Sequence, residues 1–170
     1  MLNEKVSTLL NEQINHELYS AYLYLDISNY YKDNGLDGFA NWYKIQAQEE
    51  RDHAMLFMEY LQNTGYRVTL DAIAKPDKEF EGFKMPLEAG LEHEIIVTNL
   101  INAIYSQAAE VKDYRTIQFL DWFVKEQGEE EANAEALIRK MELFGADPRG
   151  LYLLDTELGA RIYTAPARVL

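Results

Sequence analysis

Cysteine is absent from the 170 residues. That excludes disulfides, thiolate zinc sites and cysteine-ligated iron–sulfur clusters. No stretch approaches the roughly 18 apolar residues of a membrane-spanning helix. Basic residues are also scarce, with 16 Lys and Arg against 29 Asp and Glu, a formal net charge of −13. A basic patch for nucleic acid or an anionic membrane is therefore not expected, and the balance favours cations or plain solubility. The stretch MLNEKVSTLLNEQINHELY has neither the basic start nor the apolar core of a secretory leader, so a cytoplasmic protein is the expectation. What is present is ordinary for a folded protein, 48 % hydrophobic and 26 % charged, at a length that suits a single domain over residues 1–170.

Proline and glycine number only 4 and 9, and they gather at a few breaks that leave long amphipathic segments between them. The first helix is predicted at about 3–31, ending at KDNGLDG, where Asn34, Gly35 and Gly38 mark a turn. The second covers about 39–63 and stops at Gly65. YRVTLDAIAKPDKEFEGFKMP follows, with Pro76, Gly82 and Pro86 and no sustained period. It is long enough to travel the length of a bundle, so the second and third helices are expected to run parallel. The third helix spans about 87–112, and a tight turn near Asp113 leads to the fourth, about 116–144. After GADPRG, Asp147 caps and Pro148 opens a short fifth helix, about 148–160, through Leu151, Leu154 and Leu158. The fold expected is all-α: a four-helix bundle at about 3–145 with one long crossover loop, plus a short fifth C-terminal helix.

Helical periodicity also places acids where they do not belong. Val6, Leu10, Ile14, Tyr24 and Ile27 share one arc of the first helix, with Glu17 at its centre. On the second, Phe39, Trp42, Ile45, Leu56, Phe57 and Tyr60 enclose Glu49, Glu50 and His53. The third carries Glu94 amid Leu87, Leu91, Val97, Ile101 and Ile104. The fourth carries Glu126, Gln127 and Glu130 amid Phe119, Trp122, Phe123, Leu137, Met141 and Phe144. A buried carboxylate without a partner costs several kcal/mol. One such acid is accounted for by a hydrogen bond; one on each of four helices, all at mid-length, points to a metal. Glu50 and His53, spaced i, i+3, reach a common point. Carboxylates with a single imidazole suit Fe²⁺ or Mn²⁺, and two ions sharing a bridging carboxylate explain why so many acids are present. Tyr24, two turns from Glu17 on the same arc, is in position to hydrogen-bond a ligand or to donate an electron. His16 and His93 look ordinary, at a surface or an interface. No phosphate-cradling glycine loop or Ser–His–Asp arrangement is present.

Glu17, Glu50-x-x-His53, Glu94 and Gln127-x-x-Glu130 together resemble the dinuclear ferroxidase centre of the ferritins, and the likeness runs over nearly the whole chain. Di-iron carboxylate bundles in general carry Glu-x-x-His on two helices. Here the fourth helix offers Gln127 and Glu130 with no second histidine, which is similar to bacterial non-haem ferritins. In bacterioferritins a haem-ligating Met follows the second-helix glutamate; Arg51 stands in that place, so no haem is expected. Glu49, Glu126 and Glu129 resemble the third iron site of bacterial non-haem ferritins, and Gly128, within that cluster, is expected to mark close packing. The fifth helix distinguishes the chain from mini-ferritins, and the lack of cysteine from typical rubrerythrins.

The resemblance implies iron storage and detoxification by a homo-oligomeric shell of twenty-four subunits, with fifth helices around fourfold axes. Fe²⁺ is then oxidised by O₂ or H₂O₂ and deposited inside as hydrated ferric oxide. In that frame Glu50 bridges two irons. Glu17 and His53 complete one side, Glu94 and Glu130 the other, and Gln127 is a labile or outer ligand. Glu110, Asp113 and Asp121, near the turn between the third and fourth helices, either line an inlet for iron or are solvated surface. The alternative is a non-storage di-metal oxidoreductase, such as a rubrerythrin-like peroxidase or a manganese catalase. A purely structural bundle would pair its inner acids with Lys or Arg, and the inner arcs hold almost none.

Overall fold

The computed structural model describes residues 2–166. It has five helices, α1 (Glu4–Asp33), α2 (Asp37–Asn63), α3 (Met85–Glu110), α4 (Tyr114–Phe144) and α5 (Pro148–Gly159), and no strand among the described residues. None of the described helices is long and apolar enough to cross a membrane. Three helices start on side-chain caps that satisfy otherwise unpaired amides. Asn3 Oδ1 accepts from Lys5 N at 3.0 Å, Asp113 Oδ1 from Thr116 N at 3.2 Å, and Asp147 Oδ2 from Gly150 N at 2.8 Å. α3 begins two residues before the expected Leu87 because Pro86 sits in its first turn, where a missing N–H leaves nothing unsatisfied. It ends before Lys112, whose φ of 58° is not helical.

α2 lacks a side-chain cap of its own. Asp155 of α5 supplies one from across the fold, its Oδ1 accepting from Gly38 N at 2.8 Å and Phe39 N at 3.0 Å. The approach is so close that a Cβ on residue 38 would lie 1.6 Å from the Asp155 carbonyl oxygen, so only glycine fits. α5 thereby lies across the bundle end formed by the start of α2 and the finish of α4, burying Leu154 and Leu158. Phe144, expected on the inner stripe, is instead half exposed, because it closes α4 where the chain departs for α5.

The connection 64–84 runs along α1. Asn11 clamps it with two bonds to Thr69, donating to the carbonyl and accepting from the amide, each 2.9 Å. Asn15 donates to Ala72 O at 3.0 Å, and Tyr31 OH donates to Phe83 O at 2.8 Å. The loop so returns the chain to the end where α2 began. Gly90 near the start of α3 faces Tyr43 near the start of α2, and the later halves of both helices share one apolar cluster. α2 and α3 are therefore parallel, and each is antiparallel to its hairpin partner.

The interior is two apolar clusters with a polar layer between them. One cluster gathers Val6, Leu10, Phe57, Leu61, Ile101, Ile104 and Phe119; the other gathers Leu23, Ile27, Phe39, Leu87, Leu137 and Met141. On every long helix the buried polar residues between those two sets include an acid picked out above. The protein places its most costly groups at mid-length, where all four helices face one another and water is excluded.

Candidate metal centre

Glu17, Glu50, His53, Glu94, Gln127 and Glu130 are all buried, none more than 6 % exposed. Glu17 comes from α1, Glu50 and His53 from one turn of α2, Glu94 from α3, and Gln127 with Glu130 from one turn of α4. Ligand atoms of Glu17, Glu50 and His53 lie within 4.8 Å of one another, and theirs is the group among the described residues that gathers this tightly. The His53 ring is set edge-on against Trp122 at 5.4 Å and Phe123 at 5.8 Å, which fixes its plane. Its Nδ1 stands 3.4 Å from Glu50 Oε2.

Three buried glutamines hold three of the four carboxylates. Gln13 Nε2 donates to Glu17 Oε1 at 2.9 Å, Gln46 Nε2 to Glu130 Oε2 at 2.8 Å, and Gln127 Nε2 to Glu94 Oε2 at 3.0 Å. Tyr24 OH donates to the other oxygen of Glu94. Gln127 thus turns its amide nitrogen toward a neighbouring carboxylate. Gln13 and Gln46 were not singled out in the sequence. The available signal was their spacing, each four residues before an acid (Glu17 and Glu50) on the same inner stripe.

Four buried atoms have no hydrogen-bond partner: Glu17 Oε2, both oxygens of Glu50, and His53 Nδ1. Buried polar atoms left unpaired are uncommon and costly. They belong to the three residues whose ligand atoms gather within 4.8 Å, and none of Glu17, Glu50, Glu94 and Glu130 is paired with a Lys or Arg among the described residues. Burial pushes the Glu17 and Glu50 carboxyls well above the usual carboxylate range. The charge of Glu50 adds to this at Glu17, and those of Glu94 and Glu130 add to it at Glu50. Glu94 is raised by burial, and Glu130 is pushed up to about 7, first by burial and then by Glu94. The Tyr24 phenol is raised by burial and by Glu94. Oxygen donors with one imidazole fit a divalent cation such as Fe²⁺ or Mn²⁺, and its charge reverses this repulsion.

The outlying candidates fare differently. Glu49 and Glu126 are partly buried at the flank of the centre, and burial raises both. Glu49 makes an ion pair with Arg161 at 2.7 Å. Glu129 is exposed and reaches Lys125 at 3.5 Å. These three acids are not drawn into one group in this structure. A Cβ on Gly128 would meet nothing within 4 Å, so close packing within the subunit does not explain that glycine. His93 is partly exposed. Its Nε2 lies 2.7 Å from Ser20 Oγ, its ring packs on Tyr19 and Tyr24, and burial lowers its pKa to about 4. Asp113 caps α4, Asp121 accepts from Tyr105 OH at 3.0 Å, and Glu110 accepts from Gln107 at 3.2 Å.

The family model of the ferritin-like domain matches residues 7–144. The chain belongs to the ferritin family. A bacterial non-heme ferritin of Campylobacter jejuni is 41 % identical over 155 residues, covering 91 % of this chain and 93 % of that one. A probable bacterial non-heme ferritin-like protein of Haemophilus influenzae is 38 % identical over 159 residues, covering 94 % and 96 %. Among solved structures, a closed form of the Archaeoglobus fulgidus ferritin engineered by site-directed mutagenesis superposes with a TM-score of 0.94 at 42 % identity, covering 96 % of this chain and all of the other. The four-helix bundle with a short fifth helix is therefore the ferritin fold, as the helix pattern and the inner acids imply.

Proposed function

We propose that this ferritin takes up Fe²⁺ as substrate at the polar layer, oxidises it in pairs and stores the product in a shell of twenty-four subunits. The observation that carries this reading is the convergence of four orphaned donor atoms, from Glu17, Glu50 and His53, in a dry site without a cationic side chain. Glu50, with both oxygens free, bridges the two ions. Glu17 and His53 complete one side, Glu94 and Glu130 the other, and Gln127 and Tyr24 hold Glu94 in place. To bind a cation His53 presents a neutral Nδ1, with its proton on the other ring nitrogen. Two Fe²⁺ give two electrons to O₂, which takes two protons and leaves as H₂O₂; with H₂O₂ as oxidant the products are two waters. A cavity of about 20 Å³ beside Glu94 and Glu130, lined also by Tyr24, Tyr43 and Gln46, has room for one small molecule there. On the same reading Glu49, Glu126 and Glu129 take a third iron outside the pair, since the charge of Glu126 reaches Glu49 and that of Glu129 reaches Glu126.

Assembly is supported by apolar surface that one subunit leaves open at two places. Leu143, Tyr152 and Leu153 are about 70 % exposed around α5. On the α1–α2 face Tyr22 and Leu25 border a groove of about 700 Å³ lined also by Leu18, Ala21 and Ile45. Two separate sticky faces suit a closed shell, which needs more than one kind of contact. Sedimentation tests this directly. The expected particle has about twenty-four times the 19.7 kDa subunit mass and gains ferric mineral when Fe²⁺ and O₂ are supplied. A small oligomer that turns over peroxide without accumulating mineral would instead identify a non-storage di-metal oxidoreductase.

A further inference from the structure

Beyond α5 the described residues stay on the bundle. Residues 160–166 turn back along α2 as an irregular strap, and Arg161 fixes it. Its Nη2 donates to Glu49 Oε2 at 2.7 Å, its Nη1 donates to Trp42 O at 3.3 Å, and the guanidinium carbon lies 4.0 Å over the Trp42 ring. Asn41 Nδ2 donates to the Arg161 carbonyl at 3.1 Å, and Tyr163 OH donates to Asp52, about a turn along from Glu49. Arg161 and Glu49 are each 19 % exposed. Every other pair of Lys or Arg with an acid among the described residues has at least one partner more than 40 % exposed. A half-buried guanidinium that also stacks on an indole is held far better than a surface pair.

Arg161 therefore sits where a cation bound by Glu49 would sit. We propose that the strap is a built-in competitor for the third iron: the Arg161 guanidinium neutralises Glu49, and a metal ion reaches that carboxylate only by displacing it. This rests on the reading of Glu49 and Glu126 as part of an outer iron site. The exchange is physically reasonable. A divalent ion brings twice the charge and binds two or more carboxylates at once, whereas the guanidinium engages one. Apart from the Asn41 and Tyr163 hydrogen bonds the strap is open to solvent, with Ile162 84 % and Tyr163 37 % exposed. The consequence is an enforced order. The dinuclear centre has no such competitor and fills first, and the outer site opens only when free metal is high enough to lift the strap.

The test uses Zn²⁺, which neither oxidises nor mineralises, titrated calorimetrically into the assembled full-length protein. The parent, Arg161→Gln, Glu126→Gln and the Arg161→Gln/Glu126→Gln double variant are compared. We expect the weakest equivalent per subunit to tighten at least tenfold in Arg161→Gln and to be lost when Glu126→Gln is added. If parent and Arg161→Gln bind an equivalent of the same affinity that Glu126→Gln removes, the outer site stands and the competitor is overturned. A gain in Arg161→Gln that survives Glu126→Gln lies elsewhere and also overturns it. If neither protein binds an outer equivalent, the outer-site reading fails and the proposal falls with it.

Discussion

On the α1–α2 side of the centre, Glu17 Oε2, both Glu50 oxygens and His53 Nδ1 meet no hydrogen-bond partner. On the α3–α4 side, both Glu94 oxygens are taken, by Tyr24 and Gln127, and Glu130 is held by Gln46. The two sides differ in what a metal ion must displace. At the first it satisfies groups that are otherwise unpaired, so its binding is opposed by little. At the second it must share or break amide and phenol hydrogen bonds that already stabilise the acids. The imidazole adds to the same asymmetry, since nitrogen sites favour the later divalent ions. We expect binding to be stepwise, with the His53 side tight and the Glu130 side labile. The labile side is also where the small cavity lies.

On the proposed reading Glu50 serves both sides, and replacing it has the largest expected effect. Glu50→Gln should weaken both Fe²⁺ equivalents by roughly 100-fold or more in an anaerobic titration, beyond the 10- to 100-fold cost of losing an outer hydrogen bond. The same change should raise the melting temperature of the metal-free protein at pH 8, because folding then no longer buries an acid that the unfolded chain ionises. A variant that keeps one tight equivalent would show that Glu50 does not bridge.

Glu130 offers the next test, through pH. Its folded pKa of about 7 lies above the ordinary 4.5, so the folded state holds the proton more tightly than the unfolded chain. Between those values the unfolded chain releases its proton first, and stability of the metal-free protein falls as pH rises. The span corresponds to about 3 kcal/mol at most. Glu130→Gln should remove this slope: its melting temperature should exceed that of the parent above pH 7 and converge with it below about pH 4.5. Parallel melting curves for the two proteins across that range would contradict the burial argument.

A smaller effect is expected from the hydrogen bond that holds Glu130. Gln46→Ala frees the carboxylate without removing it, and should change the affinity of the second equivalent by about 10-fold while leaving the first unchanged. An equal effect on both equivalents would mean that the two sides are not independent.

Much of this was legible in the sequence because it rests on local periodicity. The helices, the parallel run of α2 and α3, and the six polar groups on the inner arcs follow from three- and four-residue spacing read one helix at a time. What periodicity does not report is which polar atom meets which across helices. The Gln46–Glu130 and Gln127–Glu94 bonds, and Tyr24 on Glu94, depend on the relative rotation of neighbouring helices. Asp155 capping α2 and Arg161 reaching Glu49 span more than 100 residues of sequence, and Arg161 lies past the last helix, where there is no period to read. Gly128 was misjudged for a related reason: a glycine within a helix signals a backbone need or a neighbour, and the subunit itself supplies no neighbour.

The asymmetry of the centre is the central claim, and an anaerobic Fe²⁺ titration of two variants tests it most directly. His53→Ala should lose the tight first equivalent and, with it, rapid oxidation. Glu130→Ala should keep that first equivalent yet also lose the fast paired reaction, because the oxidant then meets a single iron. If Glu130→Ala loses the tight equivalent while His53→Ala retains it, the assignment of the two sides is contradicted.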